Sequence, residues 1–419
     1  MSNINKIESL DVEMTAPPSK SISHRAIFLA SLAKGETRIE NLLKSDDIDY
    51  TLTTCKDLGA IIEKKGKYLV IKGTDGNLSI KNKDLFIGNS GTTMRFLTSY
   101  ACLLKDGKVT ISGIERMHER PIGELVSSLH DLGANIKYLQ HENYPPLLIY
   151  GTGLKGGKTT LKGDISSQFF SSLLISCLKS SENTQIYFQK PLKSKPYIDL
   201  TIDIISKFKG KIIIKDDHYF IPKQQELIGH SIKIEGDFSS SSYFLAMAAV
   251  LNGKIKIQNL NANSKQGDRI ILDILEQMGA KIKVGENWVI LEGDKLNAIE
   301  FDFQNYPDLV PTIAVVSAFA NGQTIIKNVE HLQYKESNRI TAIMNELEKI
   351  GIKSNFDGKD LFIEGKEKSF KPAKIETYND HRIAMSFSVA AVKLGNIEIN
   401  NPEVVAKSFP DFFKIIENF

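Results

Sequence analysis

The chain has 419 residues, with 53 Lys or Arg against 50 Asp or Glu, for a net charge of +3. At 42% hydrophobic and 25% charged residues it reads as an ordinary globular chain too long for one core, so two or three domains are expected; the near balance of charge excludes a general nucleic-acid binder. Three cysteines exclude a disulfide scaffold, the N-terminus lacks the pattern of a signal peptide, and the longest apolar runs, such as Leu309 to Ala320, are too short to span a bilayer, so a cytoplasmic protein is expected.

One pattern recurs six times along the chain. Each unit opens with small polar residues and continues into an apolar helix rich in Ala, Leu and Phe. A strand, a second and amphipathic helix ending at Gly, and a hairpin follow. Ahead of the first unit, Ile7 to Thr15 alternates apolar and polar residues and is predicted to be a half-buried strand that closes the last unit. The first unit runs from Pro18 through ISHRAIFLASLA, with its second helix ending at Leu58-Gly59-Ala60. The second opens at GNSGTTMRFLTSYACLL and reaches Leu132-Gly133-Ala134. The third opens at DISSQFFSSLLISCL, and the fourth at GDFSSSSYFLAMAAV, ending its second helix at Met278-Gly279-Ala280. The fifth opens at YPDLVPTIAVVSAFA and reaches Ile350-Gly351; the sixth opens at YNDHRIAMSFSVAAV and stops within FPDFFKIIENF. Gly at the helix ends suits a left-handed C-cap. The arrangement predicts two α/β domains of three units each, 18–236 and 1–17 with 237–419, and a small-molecule site in the cleft between them.

Polar helix starts beside cations are anion-binding placements, because the free N–H groups and dipole of a helix start favour negative charge. Lys20 and Arg25, in Pro17-Pro18-Ser19-Lys20-Ser21-Ile22-Ser23-His24-Arg25, oppose the dipole of the first apolar helix, which is unfavourable without an anion. Gly88 and Gly91 in Gly88-Asn89-Ser90-Gly91-Thr92-Thr93-Met94-Arg95 would let backbone amides approach a phosphate or carboxylate, although the spacing is not that of a P-loop. Arg120 precedes Pro121, a residue suited to the first helical position. Lys335, Glu336 and Arg339 precede the second helix of unit five, Arg382 opens unit six, and Lys407 precedes the last helix. The plainer reading of each serine or asparagine is a helix cap, and of Arg339 a surface residue. Seven cations at helix entrances suit substrates carrying several phosphate and carboxylate charges.

These segments resemble the 5-enolpyruvylshikimate-3-phosphate synthase family over nearly the whole chain. PPSKSISHR, LFIGNSGTTMR, RMHERPIGEL, DISSQFFSSLL, SKPYIDLT, GDFSSSSYFL, YPDLVPT, YKESNR, YNDHRIAM and AKSFPDFF occur in that family's order. The resemblance implies a two-domain inside-out α/β barrel. It implies transfer of the enolpyruvyl group of phosphoenolpyruvate to the 5-hydroxyl of shikimate 3-phosphate with release of phosphate. Carried over by motif, Lys20, Ser21, Arg25, Ser166, Ser167, Gln168, Ser194 and Tyr197 would hold shikimate 3-phosphate, and Asp308 and Lys335 would meet its hydroxyls. Lys20, Gly91, Arg120, Gln168, Arg339, Arg382 and Lys407 would hold phosphoenolpyruvate. The chain departs from the family at Gln333 and His331, and varies around the Gly-rich turn at Ser90 and Phe96.

The chemistry asks for one acid, one base and strong anion binding, and for no metal or redox cofactor. Asp308 is the candidate base, with Glu336 and Lys20 as proton donors; the plainer reading of Asp308 is a cap on LVPTIAVV. No nucleic acid or membrane is expected as partner, and a monomer is expected. UDP-N-acetylglucosamine enolpyruvyl transferase, with its reactive loop cysteine, is the nearest rival, but Cys55, Cys102 and Cys177 fall in predicted helices, where thiols are inert. RNA 3′-phosphate cyclase is a second rival and a non-catalytic anion-binding module a third.

Overall fold

The computed structural model describes residues 2–163, 166–365 and 370–419. The chain divides into two compact units, one of Met1–Ser19 with Glu235–Phe419 and one of Lys20–Ile234. Among the described residues each unit holds three sheets, all four-stranded except one of three strands, so the six predicted repeats are six sheets. The second repeat shows their common plan. Asp84–Phe86 runs parallel to Lys108–Ser112, which pairs antiparallel with Leu147–Tyr150 of the hairpin, and that strand pairs with Asn135–Tyr138.

The six opening helices are α1 (Lys20–Leu32), α2 (Gly91–Ala101), α3 (Ser167–Ser176), α4 (Phe238–Leu251), α5 (Val310–Ser317) and α6 (His381–Leu394). A helix apolar on all sides has no face for water and must be core. Accordingly every residue of α4 from Phe238 to Val250 and of α6 from His381 to Val392 is buried. Two of the buried hydroxyls are satisfied within their own helix: Ser388 donates to Ala384 O at 2.8 Å and Ser317 of α5 to Ile313 O at 2.7 Å. Helices α4, α5 and α6 pack on one another in their unit. In the other, Ser172 donates to Arg95 O at 2.6 Å, joining α3 to α2, and Phe28 of α1 meets Phe96 of α2 edge-on at 5.7 Å.

The strand expected from Ile7–Thr15 forms as Asp11–Thr15 but pairs elsewhere. It lies parallel to Lys254–Gln258 in the fourth sheet, whereas Ser2–Asn3 pairs antiparallel with Ile397–Ile399 in the last. The reason is topological. In each ordinary repeat the strand before the opening helix pairs parallel with the strand after it. Where the chain changes units, between Ser19 and Lys20 and again between Ile234 and Glu235, that strand stays behind. So Ser231–Lys233, which precedes α4, pairs with Glu36–Glu40 of the first sheet, and Asp11–Thr15, which precedes α1, takes the vacated place beside Lys254–Gln258.

Gly59, Gly133, Gly279 and Gly351 end second helices with φ of 109°, 89°, 118° and 88°, the left-handed cap expected; in the third repeat Lys209 holds that position with φ of 67°. A second set closes the hairpins against the opening helices: Gly73, Gly151, Gly293 and Gly365 donate to the carbonyls of Gly35, Gly107, Gly253 and Gly322 at 3.2, 2.8, 2.7 and 3.0 Å. A Cβ on Gly73 would overlap the carbonyl oxygens of Ala30 and Ala33, which are backbone and cannot swing away. Among the described residues no helix is long and apolar enough to cross a membrane. Gly73→Ala is expected to lower stability by about 3 kcal/mol in thermal or denaturant unfolding. Gly66→Ala, at φ of 61° with nothing within 4 Å, is expected to cost about 1 kcal/mol. Equal costs would remove the contact argument.

Candidate active site

In the Lys20–Ile234 unit, helix starts place most of the predicted residues. Lys20 begins α1, and its Nζ lies 3.5 Å from the buried Asp47 carboxylate. The Asp47 carbonyl accepts from Thr93 of α2 at 3.3 Å, and Thr93 shares a 2.7 Å hydroxyl contact with Ser90. Gly91 begins α2 because the Arg120 guanidinium occupies the space a side chain would need: a Cβ there would meet Arg120 Nη2 at 2.5 Å. Arg120 donates to the carbonyl and side-chain oxygen of Asn89, each at 3.2 Å. Gln168 reaches Thr92 Oγ1 at 3.1 Å, and Ser166 caps α3 by accepting from Gln168 N at 3.3 Å. Lys20, Gly91, Arg120, Ser166 and Gln168 are thus joined through α2.

Arg25 is fully buried one turn into α1. It donates from Nε to Thr201 Oγ1 at 2.8 Å and from Nη1 to Ser21 O at 2.8 Å. Nη2 reaches Tyr197 O at 3.1 Å and Ser171 Oγ at 3.3 Å. Its guanidinium lies over the Phe96 ring at 5.3 Å, which gives that departure from the family a role. These partners are all uncharged. Burial draws the Arg25 pKa down to about 10, so it stays cationic at neutral pH and among the described residues has no carboxylate to balance it. Ser194 precedes Lys195–Lys207 with φ of 56°, and its carbonyl accepts from Tyr197 N at 3.1 Å.

The other unit is built around Arg339. It begins the helix Arg339–Lys349 with no solvent exposure, so the surface reading fails. It donates from Nε to Asp380 at 2.8 Å, from Nη1 to Asp308 at 3.1 Å and from Nη2 to Glu336 at 2.8 Å. The other Asp308 oxygen accepts from Arg382 Nη2 at 2.7 Å, so one carboxylate bridges two guanidiniums. Arg382 also donates to Tyr243 Oη at 3.2 Å. Burial pushes the Asp308 carboxyl up, but the charges of Arg382, Arg339 and Lys335 outweigh it and hold it well below the usual range, against repulsion from Glu336. Burial opposes the charge of Arg339, yet Asp380, Glu336 and Asp308 together keep it more firmly protonated than a free arginine.

Several local expectations change. Pro121 lies before the helix, which starts at Gly123; Arg120 sits in the turn after the short helix Glu115–His118. Lys335 is in extended backbone between the 3-10 turn Glu330–Tyr334 and Asn338, the residue that caps the helix by accepting from Thr341 N at 3.2 Å. Lys407 ends the 3-10 segment Pro402–Lys407, which packs against α6. Leu309, not Asp308, is the cap position of α5, and the Asp308 carboxylate is engaged by arginines instead. His331 is buried in its 3-10 turn, and Gln333 donates to Glu330 O at 3.1 Å. Burial pushes the Cys55 and Cys177 thiols up to about 12 and raises that of Cys102 further, as inert thiols require.

Among the residues of this network that carry no role in the sequence reading are Asp47, Asn89, Asp268 and Asp380. Asp380 caps α6 at Arg382 N (3.0 Å) and accepts from Ser337 at 3.1 Å as well as from Arg339. Its signal was its place in YNDHR, one residue ahead of a helix, which reads as a cap alone. Asp268 is buried and accepts from Ser239 of α4.

The family model of EPSP synthase (3-phosphoshikimate 1-carboxyvinyltransferase) matches residues 4–416. The chain belongs to the EPSP synthase family. A 3-phosphoshikimate 1-carboxyvinyltransferase of Marinomonas sp. is 42% identical over 407 residues, 96% of this chain and 95% of that protein. One from Haemophilus influenzae is 42% identical over 423 residues, 98% and 97% of the two chains. An EPSP synthase structure from Acinetobacter baumannii superposes with a TM-score of 0.81 at 26% identity, covering 99% of this chain and 97% of that one. The enolpyruvyl transferase NikO from Streptomyces tendae, at 15% identity and a TM-score of 0.78 over 99% and 96% of the chains, shares the fold. The architecture is therefore the two-domain α/β fold of the enolpyruvyl transferases, and the chain is an enzyme of the EPSP synthase class.

The Asp268 carboxyl is pushed up to about 7 by burial and by the charge of Asp308, against the Ser239 hydrogen bond and Arg382. An unfolded carboxyl titrates near ~3.9. The folded pKa is the higher one, so this contribution to stability is complete below ~pH 4 and is lost as pH rises through about 7. Asp268→Asn, which keeps an acceptor for Ser239, should gain in melting temperature relative to the parent between pH 5 and pH 8. A difference that does not change with pH would show that Asp268 does not titrate there.

Proposed function

We propose that these residues transfer the enolpyruvyl group of phosphoenolpyruvate to the 5-hydroxyl of shikimate 3-phosphate and release phosphate. The observation that carries this reading is the Asp308 carboxylate bridging Arg339 and Arg382: paired guanidiniums matched to an anion, with a carboxylate among them able to take a proton. Arg339, Arg382 and Lys407, with Arg120 over Gly91, would bind the donor; Lys20 and Gln168 would touch both substrates. Ser21, Arg25, Ser166, Ser167, Ser194 and Tyr197 would hold the acceptor. Burial of a cationic Arg25 among neutral partners supports an anion there, because an unbalanced buried charge is costly.

The donor and the carboxylates compete for the same guanidiniums. When phosphoenolpyruvate engages Arg339 and Arg382, Asp308 and Glu336 lose their cations and each holds a proton more readily. Asp308 can then accept the proton of the 5-hydroxyl as its oxygen attacks the substituted carbon of the donor, while Glu336 or Lys20 delivers a proton to the methylene. In the second half Asp308 gives its proton to the departing phosphate as the carbon–oxygen bond breaks, and the methyl returns a proton to the group that delivered it, restoring the double bond. The rival that depends on a reactive cysteine finds no support in the three buried thiols.

With purified chain, phosphate should be released only when both substrates are present; folded protein that releases none would reject the reading. Asp308→Asn should lower kcat by about a hundredfold or more, while calorimetry shows donor affinity undiminished because the bridging anion is gone. Near-normal turnover would remove Asp308 from the role of base. Gly91→Ala should displace the Arg120 guanidinium and raise KM for phosphoenolpyruvate about tenfold, with melting temperature and KM for shikimate 3-phosphate little changed.

A further inference from the structure

The turn that delivers Asp380 and Arg382 is strained. Tyr378 and Asn379 both have φ of 53°, the left-handed region. Such residues cost on the order of 1–2 kcal/mol each and persist only where their surroundings over-determine them. Asn400 donates to the Glu376 side chain at 2.8 Å. The rest of the grip comes from one helix, Arg339–Lys349, which holds the turn from its start and from two turns further on, where Asn345 also reaches the Tyr378 hydroxyl at 3.4 Å. At its start Arg339 holds the Asp380 carboxylate. Two turns later Glu346, with no solvent exposure, reaches the other end. Glu346 Oε2 accepts from the Glu376 amide at 3.1 Å, and Oε1 accepts from the Tyr378 hydroxyl at 2.7 Å. Lys349 balances the buried carboxylate at 2.8 and 2.7 Å from its two oxygens, and donates to Lys374 O at 3.3 Å. Nothing in the transfer chemistry requires Glu346, yet it is a buried charge that accepts from both the backbone and a side chain of this one turn.

We infer that Glu346 is a positioning residue for the donor site: by holding Glu376 and Tyr378 it fixes the strained turn, and through Asp380 it sets the direction in which Arg382 leaves the start of α6. Asp380 links the two directly, since its carboxylate caps the Arg382 amide at 3.0 Å while accepting from Arg339. The inference rests on the donor-site reading of Arg382. Glu346 touches no reacting atom, so the effect belongs in donor binding rather than in the chemical step.

Tyr378 is 39% exposed, so Tyr378→Phe removes the hydroxyl bond with little risk to folding. It should raise KM for phosphoenolpyruvate about threefold, and Glu346→Ala, which removes the acceptors of both the Glu376 amide and the Tyr378 hydroxyl, about tenfold. In both variants kcat and KM for shikimate 3-phosphate should stay within about twofold of the parent. Hydrogen exchange of amides 376–382 should quicken in both, with Tyr378→Phe melting within a few degrees of the parent. Unchanged exchange in either variant, or losses spread equally over kcat and both KM values, overturns the inference. Turnover of the parent chain tests the donor reading separately: if it is absent, exchange alone still decides whether Glu346 holds the turn.

Discussion

Arg339 is the constraint on which the C-terminal unit is arranged. Taking a guanidinium wholly out of water costs several kcal/mol even after the protein relaxes, and the cost is recovered only with good geometry on every donor. Arg339 has three carboxylates for that purpose, from three stretches of chain: Asp308 ahead of α5, Glu336 in the link before its own helix, and Asp380 at the cap of α6. Each pairing fixes one element against the others. The cluster is thus held by the same charges that are proposed to do the chemistry, so moving any one of them would disturb both.

This compensation explains why the net charge is so small for a proposed double-anion site. The cations are present, but in this unit they are matched locally, and an incoming anion must take the place of a carboxylate rather than fill an empty positive field. The cost of displacement is also useful. A carboxylate bound to two arginines is a poor base; one released from them is a better one. The N-terminal unit uses a different device. Among the described residues the partners of Arg25 are hydroxyls, carbonyls and an aromatic face, which leaves its charge for the proposed ligand.

The repeats were legible in the sequence because their punctuation is local. A glycine in the left-handed region after an amphipathic helix is favoured by backbone sterics at that residue, and it recurs at Gly59, Gly133, Gly279 and Gly351. The pairing of Asp11–Thr15 was not legible, because alternation identifies a half-buried strand without naming its neighbour. Two sheets could accept it, and the choice follows from where the chain changes units. Arg120, Lys335 and Lys407 lie in turns and links rather than at helix starts, but Lys20, Arg339 and Arg382 were legible as cations out of place at helix starts. Their partners were not. Asp380 reads as a cap and is one, while its side chain also holds Arg339 and Ser337. Asp268 offers no periodicity or motif at all; only its burial beside Ser239 makes it unusual.

The same fold logic says where variation in function must lie. The opening helices are buried on every side, so a polar or bulky change in their interiors disrupts packing before it alters chemistry. The hairpin glycines are equally fixed, since their neighbours are backbone. What remains free to differ from one repeat to the next is the first turn of each helix and the link before it. There Ser166, Asp237 and Asp380 solve the same capping problem with different side chains. Six copies of one structural solution therefore provide six helix entrances, and specialisation can act on each separately. Within the C-terminal unit this has produced a carboxylate bridge between Arg339 and Arg382 of α6, while α4 contributes a tyrosine to Arg382 and a serine to Asp268. The repeat supplies the scaffold, and the chemistry is carried by the few positions that the scaffold leaves unconstrained.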